Sequence, residues 1–152
     1  MKLTKAIISN FLSEETNKLM TISTNGSHPW IATVYYGFDD DLTLYFISDA
    51  GTMHARHIAE NSQVAVAIAN SLQPAESKKA GLQLYGTATL IQDEAVVKKA
   101  IDFWKTNVGV TDEKLNHEAV KGRMYQIVPK KIKYFNQNLF EVEDGKEPIL
   151  EL

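Results

Sequence analysis

The sequence predicts a mainly β domain, a small six-stranded antiparallel barrel with peripheral helices in the order αβββαββαβ. Three observations carry this expectation. Six strand-type runs recur at short spacing along the chain. The first three are joined by tight turns, which parallel strands cannot use, so a doubly wound sheet is excluded. The 152 residues are 44% apolar, enough to bury a core without covalent staples, and no repeat or composition shift divides them. One domain is therefore expected over 1–152, ending in an acidic tail from about residue 137.

The elements follow in order. Leu3, Ile7, Ile8, Phe11 and Leu12 recur at helical spacing and predict a short amphipathic helix that stops near Ser13. Leu19 to Thr24 is a strand leading into Asn25-Gly26, a hairpin signal. Pro29 opens a second strand, Trp30 to Phe38, which is apolar on both faces and is expected to be covered on both sides. Asp39-Asp40-Asp41 reads as a hairpin loop, since three acids without further spaced oxygens make a poor calcium loop. Leu42 to Ser48 is the third strand. Thr52 then caps a helix from Met53 to Glu60. Val64 to Ile68 alternates as a fourth strand, and Ser71 to Gly81 reads as a flexible insertion. Leu82 to Gln92 is a long fifth strand in which Gly86 marks a bend or close backbone approach. Asp93 caps a helix to about Thr106, Asn107 to Lys121 is polar and irregular, and Arg123 to Asn136 is a sixth strand interrupted at Pro129. Tyr35, Tyr36 and Tyr45 are expected to pack the barrel.

Several function classes find no support. With no cysteine there is no disulfide framework, thiolate metal site or cysteine nucleophile. The N-terminus lacks the continuous apolar stretch of a signal peptide, and no run approaches a membrane span, so a cytoplasmic location is expected. A net charge of −3 gives no general field for nucleic acid, and Lys130, Lys131 and Lys133 read as a solvated strand edge. Dinucleotide, Walker, nucleophile-elbow and zincin motifs are all absent.

What remains is the stretch Ser48 to Arg56. A helix N-terminus offers unpaired amides and a partial positive charge; Ser48 and Thr52 add hydroxyls, while His54 and Arg56 add cationic donors. The set describes an anion cradle. Gln83, an uncharged polar group in an apolar strand, faces either solvent or a ligand lying on the barrel. His54 and His57 share a helix face, but nothing in the sequence brings His28, His117 or Glu60 to them, and no metal site is expected.

Taken together, Trp30-Ile31-Ala32-Thr33-Val34-Tyr35-Tyr36, Leu44-Tyr45-Phe46-Ile47-Ser48, Thr52 to Asn61, Val64 to Ile68 and Gln83 to Ala88 resemble the FMN-binding split-barrel family. This is the pyridoxamine 5′-phosphate oxidase-like superfamily with its small general stress protein members, and the resemblance spans roughly residues 1 to 136. It implies a Greek-key split barrel that forms a homodimer with FMN in two clefts between subunits. Ala32, Thr33 and Val34 would edge the flavin ring with backbone groups, Ile47 and Ser48 would follow it toward the ribityl chain, and Thr52, His54 and Arg56 would hold the phosphate. Gln83 would come from the partner subunit. An oxidoreductase of undefined substrate is the implied function, with no membrane or nucleic-acid partner. Its rivals are a flavin carrier or stress-related binder without turnover, and a deazaflavin or haem protein on the same barrel. Many members have lysine where this chain has His54. The oxidases proper also carry a tryptophan and an arginine pair near the C-terminus, whereas here no arginine follows Arg123, so vitamin B6 phosphate oxidation is not expected.

Overall fold

The computed structural model describes residues 1–152. Helix α1 (Lys5–Ser13) begins where the Thr4 side chain accepts from the Ile7 amide, and it buries Ile8, Phe11 and Leu12 against the sheet. Strands β1 (Leu19–Asn25) and β2 (Pro29–Tyr35) form the expected hairpin, with Asn25 opposite Pro29 across a three-residue loop, Gly26-Ser27-His28. The strand expected over 30–38 breaks at Tyr36. Its hydroxyl is drawn into the core, 2.6 Å from the Asn17 carbonyl and 3.0 Å from that of Leu12. The chain then leaves β1 and, as β3 (Gly37–Phe38), pairs with β4 (Leu44–Ile47). Between these two, Asp39 organises the acidic loop: its carboxylate accepts from the Asp41 and Thr43 amides and from the Tyr45 hydroxyl. Leu42 adopts a left-handed φ of 67° there, ordinarily glycine's place, because its side chain is buried in the core.

Helix α2 (Met53–Glu60), β5 (Gln63–Ala69), β6 (Ala80–Leu90), α3 (Glu94–Val108), β7 (Met124–Asn136) and β8 (Ile149–Glu151) complete the chain. All strand pairs are antiparallel, in the order β2-β1-β5-β6-β7-β4-β3 with β8 beside β7. The two ends of this order are consecutive parts of one bent strand. The sheet therefore curls into split-barrel form, but no β2–β3 ladder closes it. Eight strands rather than six result from that break and from β8.

The tail differs from expectation in the same way: β8 pairs with β7, and Lys131 and Lys133 meet Glu151 and Glu147 at 3.0 and 3.4 Å. The segment 71–81 is also tied down, because the Gln73 side chain bonds both the amide and the carbonyl of Ala80. Pro129 does not interrupt β7. It lies opposite Gly86 at a register shift, where a Cβ on Gly86 would collide with the Val128 carbonyl.

Alternate residues of β1, β5 and β6 face one core with α1, including Met20, Ile22, Val66, Ile68, Leu82 and Leu84. A smaller core joins α3 to β4 and β7 through Tyr45, Val97, Ile101 and Met124. The opposite, outer face of the sheet is left open. Ile31 is 65% and Tyr35 51% exposed, so within one chain β2 is not covered on both sides, and Tyr35 does not pack the barrel as Tyr36 and Tyr45 do. No helix is long and apolar enough to cross a membrane.

Candidate functional site

Strand β4 delivers the site. After Ile47 the chain stays on the sheet for one more residue, with the Ser48 amide donating to the Arg123 carbonyl at 2.9 Å. It then turns through Asp49, whose carboxylate accepts from the Gly51 amide at 2.9 Å. Thr52, in extended conformation, donates its hydroxyl to the Asp49 carbonyl (2.8 Å) and accepts from the Ala55 amide (3.3 Å), which starts α2. The Met53 and His54 amides have no acceptor within the chain, since the helical ladder begins only with the Arg56 amide on Thr52.

Side chains converge on this helix end. Ser48 Oγ lies 2.6 Å from His54 Nε2 and 3.2 Å from Thr52 Oγ1, and Thr52 Oγ1 lies 3.3 Å from His54 Nε2. Ser48 is buried and His54 half-buried. Burial holds the His54 imidazole below its ordinary pKa, so it is neutral in the free protein at pH 7. The cluster thus presents the Ser48 hydroxyl, two free amides and one imidazole able to gain a proton, beside a Thr52 hydroxyl that in the free chain gives its proton to the Asp49 carbonyl. A group with several acceptor oxygens and negative charge matches that donor set.

The remaining predicted residues divide into groups. The Arg56 side chain is exposed and hydrogen-bonds none of this trio; it borders a cleft of about 610 Å³ that runs from Ala50 and Ala55 at the same helix start to Ala59, Thr89 and Tyr125. Ala32 and Val34 point to the same side as their partners Ile22 and Met20, toward the core, and Ile47 is half-buried beside α3. Thr33 and Gln83 lie on the outer face. They share one register row, Thr33-Thr21-Ala67-Gln83, with Thr33 and Thr21 hydroxyls 3.3 Å apart. Three strand spacings of ~4.8 Å separate the ends of that row by roughly 14 Å.

His54 and His57 do not converge on a common point. The buried His57 bonds Thr24 Oγ1 through Nδ1 at 2.9 Å, and its ring occupies the space a Gly26 side chain would need. Asp49 was not among the predicted residues. Its signal in the sequence is the Asp-x-Gly spacing of a side-chain-closed turn.

The comparisons with known proteins agree with this architecture. Residues 4–136 match the family model for pyridoxamine 5′-phosphate oxidase, and the chain belongs to that family. No curated protein sequence matches it significantly. Among solved structures, general stress protein 26 from Bacillus anthracis superposes with a TM-score of 0.66 at 18% identity, covering 97% of this chain and 98% of that one. A protein from Clostridium acetobutylicum related to general stress protein 26 gives 0.64 at 17% identity, over 99% and 97%. A heme binding protein from Mycobacterium smegmatis gives 0.73 at 14% identity, over 99% of this chain and 59% of that one. At such identities the likeness concerns the fold.

Proposed function

We propose that the protein is an FMN-binding homodimer and a flavin-dependent oxidoreductase. The observation that carries this reading is the Ser48–Thr52–His54 cluster at the start of α2, with two unpaired amides beside it. In this reading the FMN phosphate accepts from these groups, and Arg56 contributes only longer-range charge. When bound, the flavin supplies the electron-transfer chemistry, and the protein binds, orients and shields it.

A second copy of the chain is part of the reading. The outer sheet face exposes Ile31, Tyr35, Leu19 and Tyr85 around a floor of Ala65, Ala67 and Ala69, an apolar surface of the kind that subunits cover. Gln83 lies on the same open face as Thr33, roughly 14 Å from it along the sheet, and in this reading it reaches the flavin held by the partner subunit. His57, closed off by Thr24 and Gly26, offers no open axial nitrogen to a haem. The test is a fluorescence titration with FMN and with riboflavin. FMN should bind far more tightly, and equal affinities would remove the phosphate site from the account.

A further inference from the structure

A second set of ligating side chains lies away from α2. Glu94 opens α3, while His117 and Glu118 belong to the turn-rich segment between α3 and β7. His117 Nε2 is 3.5 Å from Glu94 Oε1 and 3.3 Å from Glu118 Oε1, and the three ligand atoms all fall within 4.8 Å of one another. Charge-assisted hydrogen bonds are shorter, at ~2.7–2.9 Å. Two atoms bound to one ion at ~2.1 Å with a tetrahedral angle are, by contrast, roughly 3.4 Å apart.

The segment that carries the pair is held in place. Lys105 Nζ donates to the Asp112 and Leu115 carbonyls, Arg123 donates to the Ala119 carbonyl, and Val120 is fully buried. Lys98 also stands near Glu94, at 3.7 Å, but both side chains are more than half exposed, and such a pair contributes little.

We propose that Glu94, His117 and Glu118 form a surface site for a divalent transition-metal ion of the zinc type, with water completing the coordination. One imidazole nitrogen and two carboxylate oxygens suit zinc, whereas calcium and magnesium prefer oxygen alone. The bound ion ties the start of α3 to the segment leading into β7.

The test is calorimetric titration of the chelator-treated full-length protein with zinc chloride, with cobalt absorption as a reporter of coordination. The expected result is one zinc per chain, unaffected by millimolar magnesium, and a melting temperature raised by about 2–4 °C at saturation. His117→Ala should weaken binding by no less than the ~10-fold that even outer-shell partners cost and should abolish the thermal shift. His28→Ala should leave both unchanged. Glu118→Gln, at a 69% exposed side chain, provides a second variant that cannot disturb folding. Absence of saturable zinc binding, binding that survives His117→Ala and Glu118→Gln, or binding lost with His28→Ala would overturn the assignment.

Discussion

Truncating His54 to alanine removes the one group of the α2 cluster that can carry a positive charge. Its Nε2 lies 2.6 Å from Ser48 Oγ and 3.3 Å from Thr52 Oγ1, so an anion taking those hydroxyls also meets the imidazole. A hydrogen bond to a charged group contributes ~1.5–3 kcal/mol, which corresponds to a ~10- to 150-fold change in affinity. Burial keeps the free imidazole neutral, and the energy of protonating it offsets part of that gain. The expected loss for FMN at pH 7 is therefore in the lower part of the range, about 10- to 30-fold. Riboflavin, which lacks the phosphate, should change by less than about twofold. The helix cap does not depend on the ring, since Thr52 Oγ1 still accepts from Ala55, so α2 should persist in the variant. Quenching of flavin fluorescence measures both ligands in one format. An FMN affinity within twofold of the unmodified protein, or an equal loss for riboflavin, refutes the reasoning.

Other consequences follow from the same geometry. A bound phosphate dianion raises the pKa of His54 from its depressed free value, so binding takes up a proton and FMN affinity should rise a few-fold as pH falls from 8 to about 6.5. Protonation of the phosphate near pH ~6 ends that rise, and His54→Lys should flatten it; a titration series across that range reads both. Ile31→Lys places a charge in the open outer face and should shift sedimentation equilibrium from dimer to monomer without unfolding the chain. Tyr36→Phe removes a buried hydroxyl 2.6 Å from the Asn17 carbonyl and should cost ~1–3 kcal/mol in urea unfolding. Burial raises the Tyr36 pKa, so that hydroxyl remains a donor and its contribution should not vary across neutral pH.

Much of this fold is written in local patterns. The α2 and α3 starts are announced by Thr52 and Asp93, each of which accepts a hydrogen bond from a first-turn amide, as Thr4 also does at α1. The Asn25-Gly26 hairpin and the close approach at Gly86 depend on neighbouring residues and glycine geometry, and both are legible in the sequence. The break at Tyr36 is not, because it arises from carbonyls at Leu12 and Asn17 that sequence spacing cannot bring to its hydroxyl. The strand β8 was hidden for a similar reason: the acidic composition of the tail conceals residues that pair with the lysines of β7.

At the site, Ser48, Thr52 and His54 lie within one turn of chain, so helix-end chemistry alone brings them together. The Arg56 side chain, two residues further along α2, is exposed and makes no hydrogen bond with the three. The Glu94–His117–Glu118 set was illegible because Glu94 opens α3 while His117 and Glu118 lie on a segment some twenty residues on, and tertiary packing brings the two together.

The proposed binding of FMN through the start of α2 can be read from colour alone. The most direct measurement is the visible absorption spectrum of the purified protein after incubation with FMN and removal of free ligand, followed by identification of the flavin released on denaturation. Flavin bands perturbed from those of free FMN, and one FMN released per chain, are expected. A colourless protein, or a haem-type spectrum after the same treatment with haem, contradicts the proposal.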